Sequence, residues 1–99
     1  MILSISSQLY GEVLNRLTDE IGARGYFSGV LEFNFDELFC RLVVSCFVYR
    51  RAITMPEGPT EAITDLVPVW WEFHTYRDEE ELLNDFSFNE LRCYIQSLV

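Results

Sequence analysis

Between Tyr26 and Tyr76 hydrophobic residues recur with a period of two, and on either side of that stretch, at 9–21 and 91–98, they recur at helical spacing. A chain divided in this way is confined to an α+β arrangement, with strands in the middle and a helix toward each end. In YFSGVLEFNFDE, Phe27, Leu31, Phe33 and Phe35 share one side of a strand while Ser28, Glu32, Asn34 and Asp36 share the other. The run LFCRLVVSCFVYRR that follows has an almost wholly apolar row, Leu38, Cys40, Leu42, Val44, Cys46 and Val48. Its second row, Phe39, Arg41, Val43, Ser45, Phe47 and Tyr49, is mixed, so this strand is expected at the centre of a sheet. A tight turn at Asp36-Glu37 would set Phe35 opposite Leu38 and Phe33 opposite Cys40, giving one apolar face.

TMPEGPT, residues 54–60, reads as a loop, because two prolines and a glycine interrupt a ladder. A third strand is expected from about Ala62 to Tyr76. Val67, Val69, Trp71 and Phe73 make its greasier row, against Leu66, Pro68, Trp70, Glu72 and His74 on the other side. Pro68 has no N–H to give a ladder, which assigns that part of the strand to an edge.

At the N-terminal end, Leu9, Val13, Leu14, Leu17 and Ile21 form the stripe of an amphipathic helix, with Ser6 or Ser7 available as its cap and Gly22 or Gly25 as its stop. At the other end, Ser87 and Glu90 match a capping box flanked by Phe86 and Leu91 as a hydrophobic staple. A helix is therefore predicted to start at Ser87 or Phe88, with Leu91, Tyr94, Ile95 and Leu98 as its stripe. Between strand and helix, RDEEELLNDF permits two readings, a short capped helix from Asp78 or a turn at 78–80 followed by a short fourth strand. The expected fold is a single α+β domain spanning 1–99: an antiparallel three- or four-stranded meander with the N-terminal and C-terminal helices packed on one face.

Trp70 and Trp71 depart from one strand in opposite directions. Trp71 falls on the core face with the greasier row. Trp70 then joins Val30, Glu32, Phe39, Arg41, Val43, Phe47, Tyr49, Leu66, Glu72 and His74 on the second face. Two modest helices cover one face of such a sheet, which leaves these aromatics open, and contiguous apolar surface of that kind marks interaction sites. The alternative, one helix on each face, would make Trp70 a second core residue. With the face open, the expected partner-binding residues are Phe39, Arg41, Phe47, Tyr49, Trp70, Glu72 and His74, and the expected partner is a second copy of the chain in a homodimer.

Chemistry is sparse. His74 is the one histidine among 99 residues, so no second histidine can complete a metalloprotease-type site. Glu72 and His74 lie two residues apart on one strand face, the basis of an alternative reading as a small metal-assisted or acid/base enzyme. No phosphate loop, dinucleotide-binding glycine pattern or nucleophile elbow is present, and no cofactor or metal is expected. Sixteen acids against seven arginines, without a lysine, give a net charge of −9 that repels a phosphate backbone. A further alternative is an acidic mimic of nucleic acid bound by a basic protein. Cys40, Cys46 and Cys93 include no CxxC pair, and Cys40 and Cys46 on one strand would be about 20 Å apart, beyond disulfide reach. Reduced thiols packed as small hydrophobes, and no membrane-length apolar run, lead to the expectation of a soluble cytoplasmic protein.

Overall fold

A four-stranded antiparallel meander, in the order β1-β2-β3-β4, carries both helices of the chain. The computed structural model describes residues 2–97, with the order α1 (Ser7–Ile21), β1 (Tyr26–Phe35), β2 (Leu38–Met55), β3 (Gly58–Arg77), β4 (Glu80–Leu82) and α2 (Phe88–Ser97). Ser6 caps α1 through its side chain, which accepts from the Leu9 N–H at 3.2 Å. Gly22, with φ 58, ends the helix in a conformation that a β-carbon would disfavour. Leu9, Val13, Leu14, Leu17 and Ile21 are all buried, as their spacing predicts.

The β1–β2 hairpin has the predicted register, with Phe35 opposite Leu38 and Phe33 opposite Cys40 across a two-residue turn in which Asp36 takes φ 53. Phe27, Leu31 and Phe33 meet Cys46, Leu42 and Cys40, and all six are buried. Cys40 and Cys46 thus behave as core hydrophobes, and burial pushes each thiol pKa up to about 11. Cys93 departs from that expectation, because α2 turns it outward; all three thiols are free.

The β2–β3 hairpin corrects the sequence reading twice. The stretch 54–60 is no loop: Met55 pairs with Gly58 and Thr54 with Pro59, leaving only Pro56 and Glu57 in the turn. Pro59 is tolerated because β3 has no strand neighbour on its outer side there; β4 reaches only Thr75, Tyr76 and Arg77. Secondly, β3 contains two bulges. Ser45 pairs with Trp70 but Cys46 with Pro68, so Val69 is an extra residue; Tyr49 pairs with Asp65 but Arg50 with Ile63, so Thr64 is another. Each extra residue reverses which positions face the core. The core row of β3 therefore runs Thr75, Phe73, Trp71, Pro68, Leu66, Ile63 rather than in strict alternation. Leu66, expected on the second face, is fully buried, whereas Val69, expected in the core, is 61% exposed, and Val67 pairs with Phe47 on the second face.

Of the two readings for 78–86, the structure takes the turn and strand. Asp78 and Glu79 both have positive φ, 52 and 67, in a two-residue turn that sets Arg77 opposite Glu80. Strand β4 is short, and residues 83–85 instead hold the N-terminal segment: the Leu3 N–H donates to Leu83 O at 2.7 Å and the Asp85 N–H to Leu3 O at 3.1 Å. Asn84 fastens this corner by donating to Phe73 O and Thr75 Oγ1 while its Oδ1 accepts from the Phe86 N–H. Buried Thr75 is satisfied in turn by donating to Leu82 O at 2.9 Å.

Both helices pack on the core face. Tyr10 of α1 stacks between Phe86 and Tyr94 of the C-terminal segment, each ring centroid 5.2 Å away, and its hydroxyl accepts from the Ser87 N–H. Burial together with the charges of Asp85 and Glu90 keeps its pKa raised, although the Ser87 hydrogen bond opposes this. Leu91 and Ile95 are buried with this cluster, and Leu98 lies outside the described residues. Arg92 ties α2 to the sheet through two bonds to Asp65, 2.7 and 2.9 Å. Arg50, on β2, donates instead to Gly22 O at the end of α1, 2.7 Å away.

Candidate functional site

With α1 and α2 together on one side, the other side of the sheet has no covering element among the described residues. Trp71 faces the helices, in edge contact with Phe86 at 5.5 Å, while Trp70 is 59% exposed on the open side. The pair thus divides between the faces as the strand geometry requires.

All seven residues expected at the site lie on this open face. Across the sheet, Arg41 stands opposite His74, Val43 opposite Glu72 and Ser45 opposite Trp70, with Phe47 and Tyr49 further along β2 and Phe39 at its start. Phe39, Phe47 and Tyr49 are exposed. The register adds residues that the sequence reading omitted. Tyr26 stands opposite Phe47 with ring centroids 5.0 Å apart, and Tyr76 stands opposite Phe39 at 6.1 Å. Tyr26 was discoverable, because the Asp36-Glu37 turn already fixes Phe47 as its partner. Val69 was not, because only the bulge brings it here.

The face is graded along its length. Two cross-strand rows, Ser28–Ser45–Trp70 and Tyr26–Phe47–Val67, contain no charged side chain. Charge begins at the next rows toward the β1–β2 turn, where Arg41 Nε lies 3.9 Å from Glu32 and His74 sits between two carboxylates. Nδ1 of His74 is 3.1 Å from Glu81 Oε2, and Nε2 is 3.2 Å from Glu72 Oε1. The other oxygen of Glu72 accepts from the Trp70 indole N–H at 3.2 Å, so an acidic residue joins the imidazole to the indole. The Glu81 bond is the main cause of a raised His74 pKa, opposed by partial burial and reinforced by Glu72.

This geometry is unsuited to an ion shared by Glu72, His74 and Glu81. The two carboxylates occupy different ring nitrogens, which point away from each other, so the three groups do not converge on one point. Among the described residues no group of three or more His, Cys, Asp or Glu side chains is arranged to hold a metal. At the turn end of the face, Glu32, Asn34, Phe39, Arg41, Tyr76 and Asp78 are among the residues lining an open groove of about 470 Å³. Acids elsewhere are dispersed: Glu12, Asp19 and Glu20 on α1, Glu57 and Glu61 on the β2–β3 hairpin, Glu90 on α2. No described helix is long and apolar enough to cross a membrane. Comparison with protein-family models, with curated proteins and with solved structures finds no match to this chain.

Proposed function

We propose that this chain is a non-enzymatic assembly module that pairs with a second copy of itself through the open sheet face. One observation carries the reading: an uncharged aromatic centre, built on Tyr26, Phe47 and Trp70, is left uncovered by both helices and bordered by the polar groups Glu32, Arg41, Glu72 and His74. An apolar centre with aromatic anchors and a polar rim is the anatomy of a protein interface. A two-fold pairing supplies that surface from the same patch on each copy, without a second kind of chain. In it Trp70 and Phe47 act as anchors, Tyr49, Phe39 and Arg41 as flanking contacts, and Glu72 with His74 as rim groups.

Trp70 is also the reporter that tests the idea. In a Trp71→Phe variant the remaining indole emission comes from Trp70 alone. On dilution from high to low protein concentration that emission is expected to shift to the red and to become more accessible to acrylamide, as an anchor leaves a protein surface for water. Emission already red-shifted and concentration-independent in a folded variant would refute the pairing.

A further inference from the structure

Past Phe47, which pairs with the first residue of β1, β2 and β3 continue as a two-stranded arm that turns at Pro56-Glu57. Its base is held by the Val48 N–H to Gly25 O, by Arg50 to Gly22 O and by Arg92 of α2 to Asp65, with Val48 and Ile63 packed on the core. No residue from 47 to 65 is buried. The chain is correspondingly drawn out, 47 Å long against 23 and 19 Å in the other directions, and its radius of gyration of 14.5 Å exceeds the roughly 13 Å of a compact chain this size. From Arg51 and Ala62 outward the ribbon has no third strand beside it, and a two-stranded ribbon is marginal in water by itself.

The arm does not begin a new surface. The row of β2 that forms the open face, Phe47 and Tyr49, continues in register as Arg51, Ile53 and Met55, opposite Ala62, Thr60 and Gly58. Met55 is 40% exposed. The area of the face indicates why the arm matters. At about 4.8 Å between strands and about 3.3 Å per residue, three strands over the length of β1 present roughly 500 Å² in projection. Each partner in a stable complex contributes about 800 Å². Residues 48–55 and their partners on β3 add roughly 250 Å² by the same reckoning, which enlarges the projected face by about half.

We propose that the β2–β3 arm is the outer half of the dimer interface, each arm lying on the second copy with Ile53 and Met55 against it. This rests on the pairing through the open face proposed above. Two variants test it by sedimentation equilibrium, with circular dichroism to establish folding. In the first, residues 52–61 are replaced by Asn-Gly, a two-residue turn that joins Arg51 to Ala62 where they already stand opposite each other. The second keeps the arm's length and carries Ile53→Asp with Met55→Asp. Both are expected to remain folded and to weaken dimerisation by about tenfold or more. Should the shortened chain fail to fold, the double substitution decides. Wild-type dimer affinity in the folded arm variants, alongside its loss in Trp70→Glu, would overturn the arm's role and leave the face intact. A wild-type chain that stays monomeric at every concentration would overturn both.

Discussion

His74 holds its place between Glu72 and Glu81 in a manner that depends on protonation. As imidazolium it donates from both ring nitrogens; as neutral imidazole it has one N–H and can satisfy only one carboxylate. Because the folded-state pKa is raised above the ordinary 6.5, the contribution to stability is fully present below the unfolded value and is lost as pH rises through the folded one. An NMR titration of the ring is expected to give a midpoint above 6.5 that falls back in Glu81→Gln, the larger of its two hydrogen-bond partners. A midpoint at or below 6.5 in the wild type would contradict the arrangement. The sequence made the Glu72–His74 half of this cluster legible, since residues two apart on a strand share a face. Glu81 was hidden because its position depends on whether 80–82 forms a strand. Asp65 shifts in the opposite sense: the guanidinium bonds from Arg92 lower its pKa, so that contribution is present above the ordinary carboxylate range and lost as pH falls.

At the scale of elements, β3 differs most from its sequence pattern. In LVPVWWEF both alternating rows are apolar upstream of Glu72, so period-two reasoning finds a strand but cannot detect a phase change within it. The β1–β2 hairpin was readable because Glu32, Asn34 and Asp36 mark one face unambiguously. The bulges have a sharp consequence. Deleting Val69 removes the unpaired residue and leaves Pro68 opposite Cys46 and Trp70 opposite Ser45, so Leu66 stays in the core. Deleting Glu72, in the regular part, puts every upstream side chain on the wrong face. The first deletion is expected to give a cooperatively unfolding protein within about 2 kcal/mol of the wild type, and the second an unfolded one, by urea titration. Equal damage from both would mean that Val69 is not the extra residue. The arm escaped the sequence reading for a related reason: Pro59 signals a break only when both edges of a strand are paired, and here one is open.

For the whole molecule, the placement of both helices on one side has the widest effect, because it separates a core built from α1, α2 and one sheet face from an aromatic face with no cover. Gly29 contributes to the closeness of that core: the Phe27 ring lies over it, 3.0 Å from where a β-carbon would sit. Two helical stripes and alternating strands made the one-sided arrangement legible, while the partner of the open side is written nowhere in one chain's pattern. Net charge sets a condition on self-pairing. Two copies at −9 each repel, so raising salt from low ionic strength is expected to tighten the dimer, whereas capture by a basic partner would weaken.

Solution mass over a concentration series, measured by sedimentation equilibrium for the wild type and for Trp70→Glu, bears most directly on the open face as a pairing surface. The wild type is expected to rise from the 11.6 kDa of one chain toward twice that value, while the variant stays folded at the mass of one. A wild type that remains at one chain mass throughout, or a Trp70→Glu variant that unfolds, would contradict the assignment of Trp70 to an interface.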